Sequence, residues 1–245
     1  GKIIFGSEPA MESLRPYLAS KAGGWNMNVP DLFRARYFIQ ELEEFEKKDY
    51  FPELVIICLP NDHTSGTKEE SPTPAACVAD NDLAFGQIIE AISRSKFWRD
   101  TVIFAIEDDP QDGWDHVSGY RTTAYVISPY TKRRTVVSTP YNTISILRTI
   151  EQILGLPPMN QFDAATEPMF ECFTETPDFR PFRALPNIVP LDQMNPPKEK
   201  ITDPLLRKHA ALSERLNFKR VDACPEEILN RILWHAAKGS AIPYP

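Results

Sequence analysis

Between Pro30 and Gly155 the apolar positions of the chain switch repeatedly between a helical and a strand-like period. From Asp31 to Lys48, Phe33, Tyr37, Phe38, Leu42 and Phe45 recur at three- and four-residue spacing, which predicts an amphipathic helix. Leu54-Val55-Ile56-Ile57-Cys58-Leu59 follows, apolar on both faces, and predicts a central parallel strand. Thr73-Pro74 then offers an N-cap and a first-turn proline, with Phe85, Ile88, Ile89 and Ile92 as the buried stripe of a second helix. Thr101 to Ile106 and Thr123 to Ser128 predict two further strands, and Asn142 to Leu154 a helix ended by Gly155. Alternating strands and helices imply an α/β layered sheet with right-handed crossovers.

After Leu156 the periodicity gives way to a different texture. Ten prolines fall between Pro157 and Pro204, interleaved with Phe162, Phe170, Phe173, Phe179, Phe182 and Leu185. A disordered linker lacks such aromatics, so the segment predicts an extended arm that lies over the globular body and inserts rings into it. Proline lowers the entropy cost of ordering such an arm. Pro225 to His235 predicts a closing helix, with acids in its first turn and Gly239 just past its end. The expected divisions are an N-terminal segment 1–29, an α/β core 30–156, the arm 157–204 and a helical segment 205–245.

Composition narrows the class. With 27 basic and 34 acidic residues the net charge is −7, which argues against nucleic-acid binding, a task that needs clustered Lys and Arg. No apolar run approaches the roughly 18 residues of a membrane span. The first residues lack the features of a signal peptide, so any export signal is expected to have been removed or to lie further upstream. Cys58, Cys77, Cys172 and Cys224 match neither a zinc ribbon nor a dense disulfide framework, and read as small core residues, with one bridge left open.

Chemistry concentrates in the loops that leave the predicted strand ends, where open α/β sheets bind ligands. Asn61-Asp62-His63-Thr64-Ser65-Gly66 follows the first strand and Glu107-Asp108-Asp109 the second, with Gly113-Trp114-Asp115-His116 in the loop beyond. Three adjacent carboxylates repel one another unless a cation offsets the repulsion, and carboxylates with imidazoles suit Mg, Ca, Mn or Zn. The competing reading makes these acids ordinary turn and capping residues. Two of the chain's four histidines, each directly after an Asp in such a loop, favour the metal reading. Thr64 or Ser65 beside His63 is a further candidate nucleophile. His209 and His235 lie in charge-rich helical context and suggest no role.

Four segments carry a family resemblance: Leu59 to Thr67, Val78 to Ala84, Ile106 to Val117 and Leu154 to Met159. In this order they resemble the bacterial phosphoesterase family, which includes phospholipase C and acid phosphatase-type enzymes within the alkaline phosphatase superfamily. The likeness runs from about Gly24 to Phe173. It implies an alkaline phosphatase-like three-layer α/β/α sandwich, here partial, that hydrolyses phosphate esters with a divalent metal ion in a periplasmic or extracellular setting. Asp108, Asp109 and Asp62 are then expected metal ligands. His63 and His116 are expected to bind phosphoryl oxygens or protonate the leaving group, and Asn61, Asp115 and Arg121 to contact the substrate. Family members carry a Glu-Asn metal pair and a Ser or Thr nucleophile upstream, and neither is apparent before His63. An acid and a histidine are also replaced here by Ser118 and Tyr120. The chain is therefore expected to be the C-terminal part of a catalytic domain, with an N-terminal half or another subunit completing it and little activity alone. The alternative is a non-catalytic binding or assembly module whose arm contacts a partner.

Overall fold

The computed structural model describes residues 8–108, 121–220 and 223–245. Helix α1 covers Asp31–Lys48 and α2 Pro74–Arg94, and they lie against each other. Their facing stripes, Ala35, Phe38 and Leu42 with Ala84, Ile88 and Ile92, enclose Trp98 to form the main core. The predicted start of α2 is realised: the Thr73 hydroxyl accepts from the Ala76 N–H at 3.2 Å ahead of Pro74. Helix α3, Thr143–Leu154, begins at a capping box on Asn142 and ends where Gly155 adopts φ 68°. A short helix α4 follows, Gln161–Ala165.

The sheet differs from expectation. It has two strands, β1 Ile103–Ile106 and β2 Ala124–Ile127, paired antiparallel with Ile103 opposite Ile127. A parallel pair needs a crossover, usually helical, and the residues between these strands have no helical apolar period. The apolar run Leu54–Leu59 is not a strand, which corrects the reading of a buried central one. Leu54, Val55, Ile56 and Ile57 are all exposed, Ile56 to 86%. Among the described residues the backbone of Leu54 to Cys58 makes no backbone hydrogen bond. Apolarity on both faces marks a segment suited to a sheet interior, but a strand exists only where a neighbour accepts its ladder. Cys58 is exposed as well, while the other three cysteines are buried and all four are free.

The proline-rich arm touches the body at particular rings. Phe182 stands edge-on to Trp98 with centroids 6.0 Å apart, and its N–H donates to Ser93 Oγ at 2.9 Å. Phe179 packs edge-on to Tyr130 and under the Arg99 guanidinium. Phe162, Phe170 and Leu185 instead remain exposed, so the expected insertion is limited to part of the arm. No helix among the described residues is long and apolar enough to cross a membrane.

Helices α5, Pro204–Ser213, and α6, Glu226–Lys238, close the chain and pack together. Between them lies a contact the sequence did not reveal. His209 and His235 stack with centroids 5.0 Å apart, His209 Nε2 sits 2.9 Å from His235 Nδ1, and both are buried. Burial, then the neighbouring His235 and Lys208, lower the pKa of His209 below 6.5 against the opposing pull of Asp203. A depressed folded-state pKa contributes stability that is present above pH 6.5 and lost as pH falls through the folded value. Thermal melts are accordingly expected to lose stability as the pH drops below about 6.5, and His209→Phe is expected to flatten that decline. An unchanged acid limb in His209→Phe would show that the pair has no part in it.

Candidate functional site

The site begins at a 3-10 turn, Pro60–His63, that leaves the exposed apolar run and sits against α2. Asp62 is exposed at the tip and His63 is half-buried behind it, with the His63 N–H donating to Asp62 Oδ1 at 3.1 Å. Trp25 meets the His63 ring edge-on at 5.2 Å. The next residue, Thr64, is buried and holds φ 60° with ψ 176°, a backbone region that non-glycine residues rarely occupy. Its hydroxyl accepts from the Gly66 N–H at 2.9 Å, so it is directed into the turn instead of toward solvent. That placement speaks against Thr64 as a nucleophile.

Behind the turn is a buried polar network. Helix α1 follows Pro30, which offers no capping side chain, and Asp80 of α2 supplies the cap: its Oδ2 accepts from the Asp31 N–H at 2.6 Å. The same Oδ2 accepts from the Asn61 side-chain amide at 2.7 Å. Asp31 Oδ2 accepts from the Asn61 backbone N–H at 2.9 Å and from Asn81 Nδ2 at 3.1 Å, while Asn81 Nδ2 also donates to the Leu59 carbonyl at 2.8 Å. Arg34 completes the set, 3.1 Å from Asp31 Oδ1, and donates to the carbonyls of Gly24, Asn26 and Val29. Both members of the Asp31–Arg34 pair are almost wholly removed from solvent. Burial is the main reason the Asp31 carboxyl is pushed up to about 6; three opposing contacts, with Asn61, Arg34 and Asn81, pull it back, and the Asp80 charge adds to the rise.

The acidic loop lies at the end of β1. Glu107 and Asp108 are exposed, and the Glu107 N–H donates to the Thr123 carbonyl at 3.3 Å. Glu107 Oε2 accepts from the Thr122 hydroxyl at 2.5 Å. Asp62 shows that this loop and the 60–63 turn share an electrostatic neighbourhood. Its pKa is raised, first by the protein around it and then by the charges of Glu107 and Asp108.

Of the residues expected from sequence, Asp62 and His63 lie on the 60–63 turn and Asp108 on the acidic loop, whose charge raises the pKa of Asp62. Arg121 is exposed just ahead of β2. Asn61 is buried, with its amide on Asp80 and its Oδ1 lacking a hydrogen-bond partner among the described residues. Asp109, Asp115 and His116, with Ser118 and Tyr120, lie outside the described residues. Among the described residues no three His, Cys, Asp or Glu side chains converge as a metal-ligating group. Trp25, Asp31, Arg34, Asp80 and Asn81 were missed as members of this region. The pair Asp80-Asn81 stood in a recognisable motif, but its role depends on partners 19 to 50 positions away.

Neither the curated proteins nor the solved structures return a match to the chain. A family model, that of the Phosphoesterase family, matches residues 16–157, a span that holds both loops, the buried network and more than half of the chain. The chain belongs to the Phosphoesterase family.

Proposed function

We propose that the chain carries part of the active site of a metal-dependent phosphoric ester hydrolase. Family membership supports phosphoester hydrolysis as the reaction class. The observation that carries the finer reading is the crowding of Asp62 by the charges of Glu107 and Asp108 beside the His63 turn. Like charges on two loops that raise the proton affinity of a carboxylate are relieved by a divalent cation, and an all-oxygen set suits a hard one. The donor chemistry therefore fits a metal, with Asp62 and Asp108 as ligands from this chain and Asp109 as a third. Such an ion polarises a phosphoryl oxygen when bound. In this reading His63 donates a hydrogen bond to a phosphoryl oxygen or a proton to the leaving alkoxide, His116 shares that work, and Asn61, Asp115 and Arg121 line the substrate's approach.

The nucleophile and the remaining ligands are proposed to come from a segment outside these 245 residues. The apolar ribbon Leu54–Ile57, exposed and without a backbone hydrogen bond among the described residues, supports this, since a strand laid beside it would satisfy its backbone and extend the structure toward the three-layer α/β/α sandwich of the alkaline phosphatase type. A periplasmic or extracellular setting goes with the same reading. Calorimetric titration of Zn and Mn into the full-length gene product tests the ligand assignment. Asp108→Ala is expected to weaken binding by about tenfold or more, and unchanged affinity would remove Asp108 from the set.

A further inference from the structure

The buried network accounts for more hydrogen bonds than a helix cap requires, and they converge on one short piece of backbone. Leu59 is held through its carbonyl by Asn81. Asn61 is held through its N–H by Asp31 and through its amide by Asp80. These contacts grip both sides of Pro60, three residues before His63. The Thr64 N–H then closes onto the Asn61 carbonyl at 3.0 Å, and Thr64 takes a backbone conformation that costs about 1–3 kcal/mol wherever its surroundings do not enforce it. From the other side, Arg34 gathers the carbonyls of Gly24 and Asn26, which flank Trp25, and Trp25 lies against the His63 ring.

We propose that Asn81, acting with Asp80 and Asp31, is a positioning residue: it locks the Leu59–Thr64 turn so that His63 is held at a fixed angle against Trp25. The inference rests on the phosphoesterase reading for its catalytic consequence, but not for its structural one. An imidazole that must meet a phosphoryl or leaving-group oxygen loses rate steeply when displaced by even 1 Å. A turn built on a strained Thr64 would relax to an ordinary backbone conformation once its clamp is opened. Asn81 is the informative member because it is half-buried on α2 and uncharged, so removing it opens the clamp without leaving a buried charge unpaired.

Two readouts test this in the full-length gene product. The first is the quenching of Trp25 fluorescence by the His63 ring it touches, read at one fixed pH as the difference from Trp25→Phe and relieved by His63→Gln. The second is steady-state hydrolysis of 4-nitrophenyl phosphate. Asn81→Ala is expected to reduce the quenching amplitude at least about twofold and to lower kcat by about tenfold to a hundredfold with KM little changed. Asn81→Gln, which restores an amide donor, is expected to recover most of both. Should the alanine variant prove unfolded by circular dichroism, Asn81→Ser, which keeps one donor for Leu59, carries the same comparison. Wild-type quenching and kcat in a folded alanine variant, or no recovery in Asn81→Gln, would overturn the proposal. Absence of hydrolysis in the wild type would count against the phosphoesterase reading alone, and the fluorescence arm would still decide the clamp.

Discussion

Replacing His63 by Gln in the full-length gene product is expected to lower kcat for an alkyl phosphate by about a hundredfold to ten-thousandfold, the range in which positioned acid–base groups contribute. The ring is half-buried on a turn anchored by two helices and braced by Trp25, which is how a side chain is held when its angle matters. Gln keeps a hydrogen-bond donor but neither titrates nor delivers a proton. The loss should therefore shrink for substrates whose leaving groups are already weakly basic, such as 4-nitrophenolate, and grow for alkyl phosphates. Steady-state rates with the two substrate classes measure this directly. Equal losses for both would mean that His63 contacts the phosphoryl oxygens and does not protonate the leaving group.

Arg34→Met should produce the largest change in stability, about 3–5 kcal/mol at pH 8, because it leaves the buried carboxylate of Asp31 without its cation and beside Asp80. For a chain of this size that corresponds to a fall in Tm of about 6–20 °C. The same substitution frees the carbonyls of Gly24, Asn26 and Val29 that Arg34 now gathers. The deficit carries a distinctive pH dependence. Asp31 already has its folded-state carboxyl pushed up from 3.8 to about 6, so its contribution to stability is fully present below 3.8 and is lost as pH rises through the folded value. Without Arg34 that folded value moves higher still, and protonation relieves the unpaired charge. Melts of Arg34→Met are therefore expected to approach those of the wild type as the pH is lowered from 8 toward 5. A deficit independent of pH would assign the cost to the lost carbonyl contacts and not to the charge.

The parts of the fold that were legible in the sequence are those fixed by local chemistry. Helix α1 follows its apolar spacing, α2 begins at the Thr73 cap and α3 runs from Asn142 to Gly155, since these signals act on backbone within a few residues of themselves. The run Leu54–Leu59 misled because its composition records the surroundings it is suited to, while a strand needs a neighbour that is not found among the described residues. Strand polarity was likewise beyond reach, as it depends on the path between β1 and β2. In the site, Asp62, His63 and Asp108 were readable from their position after apolar runs. The clamp was not, because Asp31, Arg34, Asp80 and Asn81 look like ordinary helix residues until α1 and α2 pack and bring them onto one turn. The stacked His209 and His235 were hidden for the same reason, being 26 positions apart.

The proposed metal-assisted phosphoester site joins the His63 turn to the acidic loop after β1. Its most direct test is hydrolysis of 4-nitrophenyl phosphate by the full-length gene product supplied with divalent metal, before and after treatment with EDTA. Hydrolysis that is lost with EDTA, returns with added metal and is suppressed by His63→Gln is the predicted result. No hydrolysis with any of Zn, Mn, Mg or Ca, or hydrolysis indifferent to both EDTA and His63→Gln, would contradict it.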